Sequence, residues 1–204
     1  MFRKLRSILF LAAIASWSMP AQSVDDASGR VLGGSVNSPI RIEVFSDFQC
    51  PGCRDLYLGT IKQVLQEYSS RDKVCIIYHE FPLDSIHQHA REAARYAEAA
   101  ARLGQEKLLS VMDSLFTDQA QWAQDGSLES SVSKALSRDD FQKVKKMLQD
   151  PSINSDIEKE VQLGLKREVK STPTLFVHYI GKEQKAEGVV TYPVLKQFID
   201  QVIK

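Results

Sequence analysis

The 204-residue chain predicts an α/β fold that carries an inserted helical block. The first observation is a strand–helix–strand opening between Ile40 and Tyr78, the order that implies a parallel strand pair with a right-handed crossover. The second is a change to helical periodicity from about His87 to Val169. The third is a strand–strand–helix ending, which returns the chain to the first unit. Composition agrees: 43% hydrophobic and 25% charged residues, with 10 Gly and 7 Pro, exclude disorder, collagen and low-complexity arrays. Lys+Arg and Asp+Glu balance at 26 each, which argues against a nucleic-acid or polyanion partner.

Residues 1–23 have the form of an export signal. Arg3, Lys4 and Arg6 make a positive start, Ile8 to about Met19 is apolar, and Ala21-Gln22-Ser23 offers small residues for cleavage. The apolar run is shorter than the roughly 20 residues of a spanning helix, and no cysteine lies near it for lipid attachment. Cleavage would remove three cations and leave a mildly acidic mature protein, not membrane-spanning, in a periplasmic or otherwise exported compartment where disulfides persist. Residues 24–38 form an aperiodic N-terminal lead. Residues 39–84 are the first part of the α/β core, 85–168 the helical insertion and 169–204 the second part of the core.

Within the core, Ile40–Phe45 is rich in β-branched and aromatic residues and predicts a strand. Leu56, Ile61, Val64, Leu65 and Tyr68 predict the following helix, and Val74–Tyr78 a strand buried on both faces. In the insertion, Ala90, Ala93, Ala94, Ala97 and Ala101 make a small-residue face. Leu108, Val111, Met112, Leu115 and Phe116 repeat with helical spacing. Ser137-x-x-Asp140 and Ser155-x-x-Glu158 both resemble capping boxes. Strand character returns at Thr174–Val177 and around Ala186–Val190, after a turn at Gly181-Lys182. Thr191 caps a last helix with Leu195, Phe198, Ile199 and Val202 on one side.

Cys50-Pro51-Gly52-Cys53, between the first strand and its helix, is where the chemistry concentrates. A cysteine at a helix N-terminus meets unpaired N–H groups and the positive end of the dipole, which favour thiolate over thiol. Pro51 suits the first helical position because it lacks a donor that would be orphaned there. The spacing predicts an exposed, reactive Cys50 and a shielded Cys53 that resolves a mixed disulfide. Half a zinc site is disfavoured: Cys75, His79, His87, His89 and His178 offer no second ligand pair of the right spacing. No metal or organic cofactor is expected. A purely structural disulfide is also disfavoured, because such bridges usually close longer loops. The second element is Thr172-Pro173-Thr174, a proline just before an apolar strand. A cis bond there would turn the Thr172 backbone toward the cysteine pair and present it to an extended peptide.

Phe45-Ser46-Asp47-Phe48-Gln49-Cys50-Pro51, Phe81-Pro82-Leu83, the alanine-rich helix and Ser171-Thr172-Pro173-Thr174 resemble, in order and spacing, the DsbA-like thiol:disulfide oxidoreductases of the thioredoxin superfamily. The resemblance runs from about Pro39 to Ile203. It implies a thioredoxin fold with an inserted all-helical domain, Cys50 as nucleophile, Cys53 as resolving thiol and Pro173 as the cis-proline. It places Thr172, Pro51 and Gly52 against the substrate. It further implies cysteine-containing protein substrates and a membrane quinone-linked reoxidising protein of the DsbB or vitamin K epoxide reductase type. The favoured function is disulfide formation; the alternatives are an isomerase or reductase of the same fold, or a chaperone-like peptide-binding module with a structural disulfide. Three departures stand out. Gly52 replaces the histidine of strong oxidants. Val44 occupies the place of a buried glutamate, with Glu43 on the other face of its strand. His178-Tyr179-Ile180-Gly181 lacks the common Asn-Gly turn, leaving the hairpin register unfixed. Cys75 and Trp122 are expected in the core, His87 and His89 at the surface or as caps, and Tyr57 in packing or a groove.

Overall fold

The structure, a computed structural model, describes residues 29–204. The leader, residues 1–23, lies outside the described residues. A five-stranded sheet has the order β1-β3-β2-β4-β5, formed by β1 (Arg30–Gly33), β2 (Ile40–Ser46), β3 (Val74–Glu80), β4 (Thr174–Tyr179) and β5 (Lys182–Glu187). β2 and β3 run parallel from Ile40↔Val74 to Ser46↔Glu80, and every other pairing is antiparallel. The crossover between β2 and β3 contains α1 (Pro51–Leu56), a π turn (Tyr57–Ile61) and α2 (Lys62–Glu67). Six helices separate β3 from β4: α3 (Ala90–Ala101), α4 (Gln105–Thr117), α5 (Gln119–Asp125), α6 (Leu128–Ala135), α7 (Arg138–Met147) and α8 (Pro151–Lys166). α9 (Tyr192–Val202) closes the chain. Among the described residues no helix is long and apolar enough to cross a membrane.

Strand alternation sorts the sheet into two faces. Ile40, Ile42, Val44, Ile76, Tyr78, Leu175 and Val177 join the main core with Cys53, Leu56, Leu195 and Ile199. On the opposite face Phe45, Phe81, Val169 and Phe176 form a second, smaller cluster. In the helical block the small face of α3 is buried, as is the stripe Leu108, Val111, Met112, Leu115 and Phe116 of α4. Trp122 is fully buried and donates its indole N–H to the Leu115 carbonyl at 2.6 Å.

The structure corrects four local expectations. The lead contains β1, which pairs with β3; its four residues are too few to show an alternation in the sequence. The last strand is Lys182–Glu187, earlier than Ala186–Val190: a polar edge strand carries no apolar pattern, and its charges guard an open edge. Ser137 does cap α7, accepting from the Asp140 N–H, but Ser155 lies inside α8, which Asp150 caps with Pro151 in the first turn. Thr191 occupies the N-cap position of α9 without a side-chain capping bond.

The β4–β5 register runs from Thr174↔Glu187 to Tyr179↔Lys182, so Ile180 and Gly181 form the two-residue turn. Their φ values are 46° and 68°, as a type I′ turn requires. Glycine accepts this freely, but a β-branched residue does not. Ile180 is also 76% exposed, so its side chain offers little packing in return. Replacing Ile180 with Asn should therefore raise stability by about 1 kcal/mol, read from the urea midpoint at unchanged slope.

Candidate functional site

Where β2 ends at Ser46 the chain makes a tight turn, and Cys50 becomes the N-cap of α1 with φ −75° and ψ 122°. Pro51 fills the first helical position. The Cys50 carbonyl accepts from the N–H groups of Cys53 (3.1 Å) and Arg54 (3.2 Å), the first bonds of the helix. Cys53, one turn inside, is 1% exposed, whereas Cys50 is half-buried. Both are free thiols, so the structure describes the dithiol form.

The surroundings push the two thiols in opposite directions. Hydrogen bonding from the Cys53 side chain, with the backbone N–H groups of Cys53 and Gly52 and the side chain of Thr172, brings Cys50 down to about 5 against the opposing effect of burial. Burial, and then the neighbouring Cys50, hold Cys53 well above the ordinary thiol value. The Asp47 N–H donates to Cys53 Sγ at 3.4 Å. Low acidity inside and high acidity at the rim suit a shielded resolver and an exposed attacking sulfur.

Thr172-Pro173 reaches the same place from β4. Its peptide bond is cis, and the Cys50 thiol donates to the Thr172 carbonyl at 3.3 Å. Pro173 lies against Gly52: a Cβ added at Gly52 would stand 3.3 Å from Pro173 Cδ, 3.5 Å from Val189 Cγ2 and 3.8 Å from Cys50 Sγ. The Pro173 carbonyl accepts from the Gly188 N–H at 2.8 Å, and Thr60 of the π turn donates to the Val190 carbonyl at 2.9 Å. These two bonds hold residues 188–190 beside the cysteine turn. An open groove of about 410 Å³ runs from Val189 along Asp55, Gly59 and Gln63.

All six residues singled out from the sequence, Cys50, Pro51, Gly52, Cys53, Thr172 and Pro173, thus meet in one place. Four further residues brace them. Asp47 is 1% exposed, and its carboxylate accepts from the N–H groups of Gln49 (2.6 Å) and Leu83 (2.8 Å). It also lies 2.8 Å from His87 Nδ1, so His87 is a tether of the redox turn and not simply a surface residue. Gln49 accepts from the His89 N–H at 2.8 Å and donates to the Ala123 carbonyl at 3.2 Å. Gln119 donates to the carbonyls of Phe48 and Cys50. His89 is the N-cap residue of α3. Tyr57 is packed, its ring on Phe116 at 4.8 Å and its hydroxyl on Asp113 at 2.8 Å. Cys75 is fully buried and lies on the sheet face opposite Cys53, in register with Arg41. Among the described residues no group of His, Cys, Asp and Glu is arranged to hold a metal ion.

Residues 26–201 match the family model described as thioredoxin, and the chain belongs to that family. It is 24% identical over 149 residues to a probable disulfide bond formation protein D of Bacillus cereus, covering 71% of this chain and 68% of that one. Its fold resembles that of oxidised BdbD from Bacillus subtilis (TM-score 0.70, 19% identity, 86% of this chain and 93% of that one). It resembles that of Pseudomonas aeruginosa DsbA2 similarly (TM-score 0.67, 25% identity, 83% and 91%). Within the thioredoxin superfamily the protein is a DsbA-like thiol:disulfide oxidoreductase.

Because the folded state lowers Cys50 to about 5 from 9.0, the folded dithiol form holds fewer protons than the unfolded chain between those values. Its stabilisation from this group is therefore present above the unfolded value and lost as pH falls through about 5. The melting temperature of the reduced protein, minus that of Cys50→Ser, should rise steadily from pH 5 to pH 8. A flat difference would mean that Cys50 is an ordinary thiol. Sub-stoichiometric alkylation near pH 6 should label Cys50 ahead of Cys53 and Cys75.

Proposed function

We propose that this protein is exported and forms disulfides in substrate proteins by exchange through Cys50 and Cys53. The observation that carries the reading is the opposed environment of the two sulfurs: Cys50 at a helix N-terminus and accessible, Cys53 one turn inside and buried. In the oxidised protein a substrate thiolate attacks Cys50 Sγ. The Cys50–Cys53 bond breaks, Cys53 leaves with the electron pair and takes a proton, and a mixed disulfide joins substrate to Cys50. A second substrate thiolate then attacks the substrate sulfur of that bond and releases Cys50 as thiolate. Two electrons have moved from the substrate dithiol to the protein dithiol. A lowered Cys50 is a good leaving group in the second step, which favours the oxidising direction.

Thr172, Pro51 and Gly52 are proposed to dock the substrate chain, with Pro173 shaping the wall behind Cys50. Pro51 is exposed and Gly52 adds no side chain, so an extended segment can lie across them and reach Cys50 Sγ. The dithiol must be reoxidised, and a membrane quinone-linked protein of the DsbB or vitamin K epoxide reductase type would return it to the disulfide. Export is supported by the form of residues 1–23 and by the kinship with a disulfide bond formation protein. Mass spectrometry of the secreted fraction should find a mature chain beginning near Val24.

The decisive experiment gives the oxidised protein a reduced, unfolded dithiol protein and follows substrate disulfides. Cys50→Ser should abolish turnover, and Cys53→Ser, which cannot form the internal disulfide, should lose oxidation as well. Given a substrate that already carries a disulfide, the Cys50 thiolate of Cys53→Ser should attack that bond, release one substrate thiol and accumulate the mixed disulfide that no Cys53 thiol resolves. Retained substrate activity in Cys50→Ser would instead identify a peptide-binding module. The reduction potential then sets direction: about −120 mV belongs to a strong oxidant and about −270 mV to a thioredoxin-type reductase.

Gly52 adds no side-chain donor to the Cys50 thiolate, so the helix end and the neighbouring groups act without one. An added Cβ at Gly52 stands 3.3 Å from Pro173 Cδ, so a side chain there requires the turn or the proline ring to give by a few tenths of an ångström. Gly52→His should lower Cys50 further and move the potential to a more positive value, by about 30 mV for each 1.4 kcal/mol gained by the reduced form. A potential that stays put or turns negative would assign the redox poise to backbone geometry alone.

A further inference from the structure

We propose that Gln119 is a positioning residue for Cys50, and that through it the helical block holds the pose of the redox turn. The inference rests on Cys50 being the reactive thiol. Gln119 opens α5 and is 3% exposed, far from Cys50 in sequence. Its side-chain amide donates to the Phe48 carbonyl at 2.6 Å and to the Cys50 carbonyl at 3.0 Å. A carboxamide nitrogen has two hydrogens, and here each has a backbone acceptor.

The Phe48 carbonyl needs such a donor for a topological reason. β2 ends at Ser46 and α1 begins at Pro51, so the carbonyls of residues 47–49 have neither a ladder nor a helix to bond them. Phe48 is 1% exposed and packed on Phe116 at 4.8 Å, in surroundings where an unpaired carbonyl would be costly. The Cys50 carbonyl carries more than its own satisfaction. It already accepts the first two bonds of α1, from Cys53 and Arg54, so a third donor restrains the peptide plane between Cys50 and Pro51. That plane fixes ψ of Cys50 at 122°, which makes Cys50 the cap and hangs its sulfur beside the helix N–H groups. A leucine or methionine at 119 would fill the same space and leave both carbonyls without the donor. A glutamate would set acceptor against acceptor.

A brace that only joins the block to the core would affect stability and nothing else, and that separates the two roles. The full reduced chain is compared with Gln119→Met, Gln119→Ala and Trp122→Phe, with folding checked by circular dichroism. The readouts are the pH midpoint of thiolate absorbance, the pH profile of alkylation at Cys50 and the glutathione redox equilibrium. Trp122→Phe removes a buried bond of the same helix, to Leu115, that does not touch the redox turn. Gln119→Met or Gln119→Ala should raise the Cys50 midpoint by about one pH unit, a tenfold loss of acidity. Either should also make the disulfide less oxidising, while Trp122→Phe lowers the melting temperature and leaves the midpoint in place. The proposal is overturned if a folded Gln119 variant keeps the wild-type midpoint, or if Trp122→Phe shifts it as far. A wild-type midpoint in the ordinary thiol range would instead remove the reading of Cys50 itself. Should neither Gln119 variant fold, the wild type carries the test by nuclear magnetic resonance. The Gln119 side-chain amide signals should exchange slowly and move as Cys50 ionises; signals that exchange freely or ignore the titration overturn the proposal.

Discussion

The redox turn depends on one asymmetry: a cysteine at the N-cap position of a helix and a second sulfur buried one turn inside it. A helix start leaves N–H groups without intrahelical acceptors, and Cys50 is the N-cap where those groups collect. Cys53 fills a place in the main core that an apolar residue could occupy. The same two-residue spacing therefore yields two unlike thiols without any charged side chain between them. Pro51 and Gly52 contribute by what they lack, a donor in one case and a side chain in the other.

Such a cap is only as good as the turn that leads into it, and that turn is held from outside. Asp47 gathers the N–H groups of Gln49 and Leu83 and meets His87, which binds the start of the redox turn to the segment leaving β3. Gln49 reaches the His89 N–H and the Ala123 carbonyl, so α3 and α5 are both fastened to it. On the far side, Thr60 fixes Val190, and Gly188 fixes Pro173. The π turn at Tyr57–Ile61 lies in the first crossover helix, whose N-terminus the cysteine motif caps. The helical block thus sits against the site as part of its frame.

What the sequence made legible follows from how each signal arises. Cys50, Pro51 and Cys53 could be read because helix-terminus chemistry is local: four consecutive residues state it completely. The buried strands β2 and β3 could be read because apolar β-branched runs have few other uses. β5 could not, since the residues of an edge strand face water and its pairing depends on β4. Ser155 imitated a cap because a Ser-x-x-Glu pattern is also comfortable on a helix surface, while Asp150-Pro151 marked the true start. Asp47, His87, Gln49 and Gln119 were illegible as a set. Their long-range bonds join positions 36 to 74 residues apart, and single polar residues have no periodicity to betray them.

The buried carboxyl groups beneath the site complete the electrostatic account. Val44 leaves the strand position below Cys53 apolar, and Glu43 points to the opposite face, where His178, His79 and Arg167 keep its carboxyl ionised against the opposing effect of burial. On the site face, Glu80 and Glu160 are almost wholly buried with Arg30 and Glu98 close by, and the Glu80 N–H donates to Glu160. Burial holds Glu80 well up and Glu160 at about 8, so both are neutral in mildly acidic solution. For Glu160 the folded chain binds more protons than the unfolded chain between the ordinary value of 4.5 and about 8, and stability falls as pH rises through that range. Cys50 acts in the opposite sense, adding stability to the reduced form from about 5 upward. Over the shared window the two linkages oppose each other in the reduced protein. When Cys50 and Cys53 are joined as a disulfide the thiol linkage vanishes while the carboxyl linkage remains. The oxidised form therefore loses stability with rising pH relative to the reduced form, and the gap between them, which is the oxidising drive, widens as Cys50 ionises.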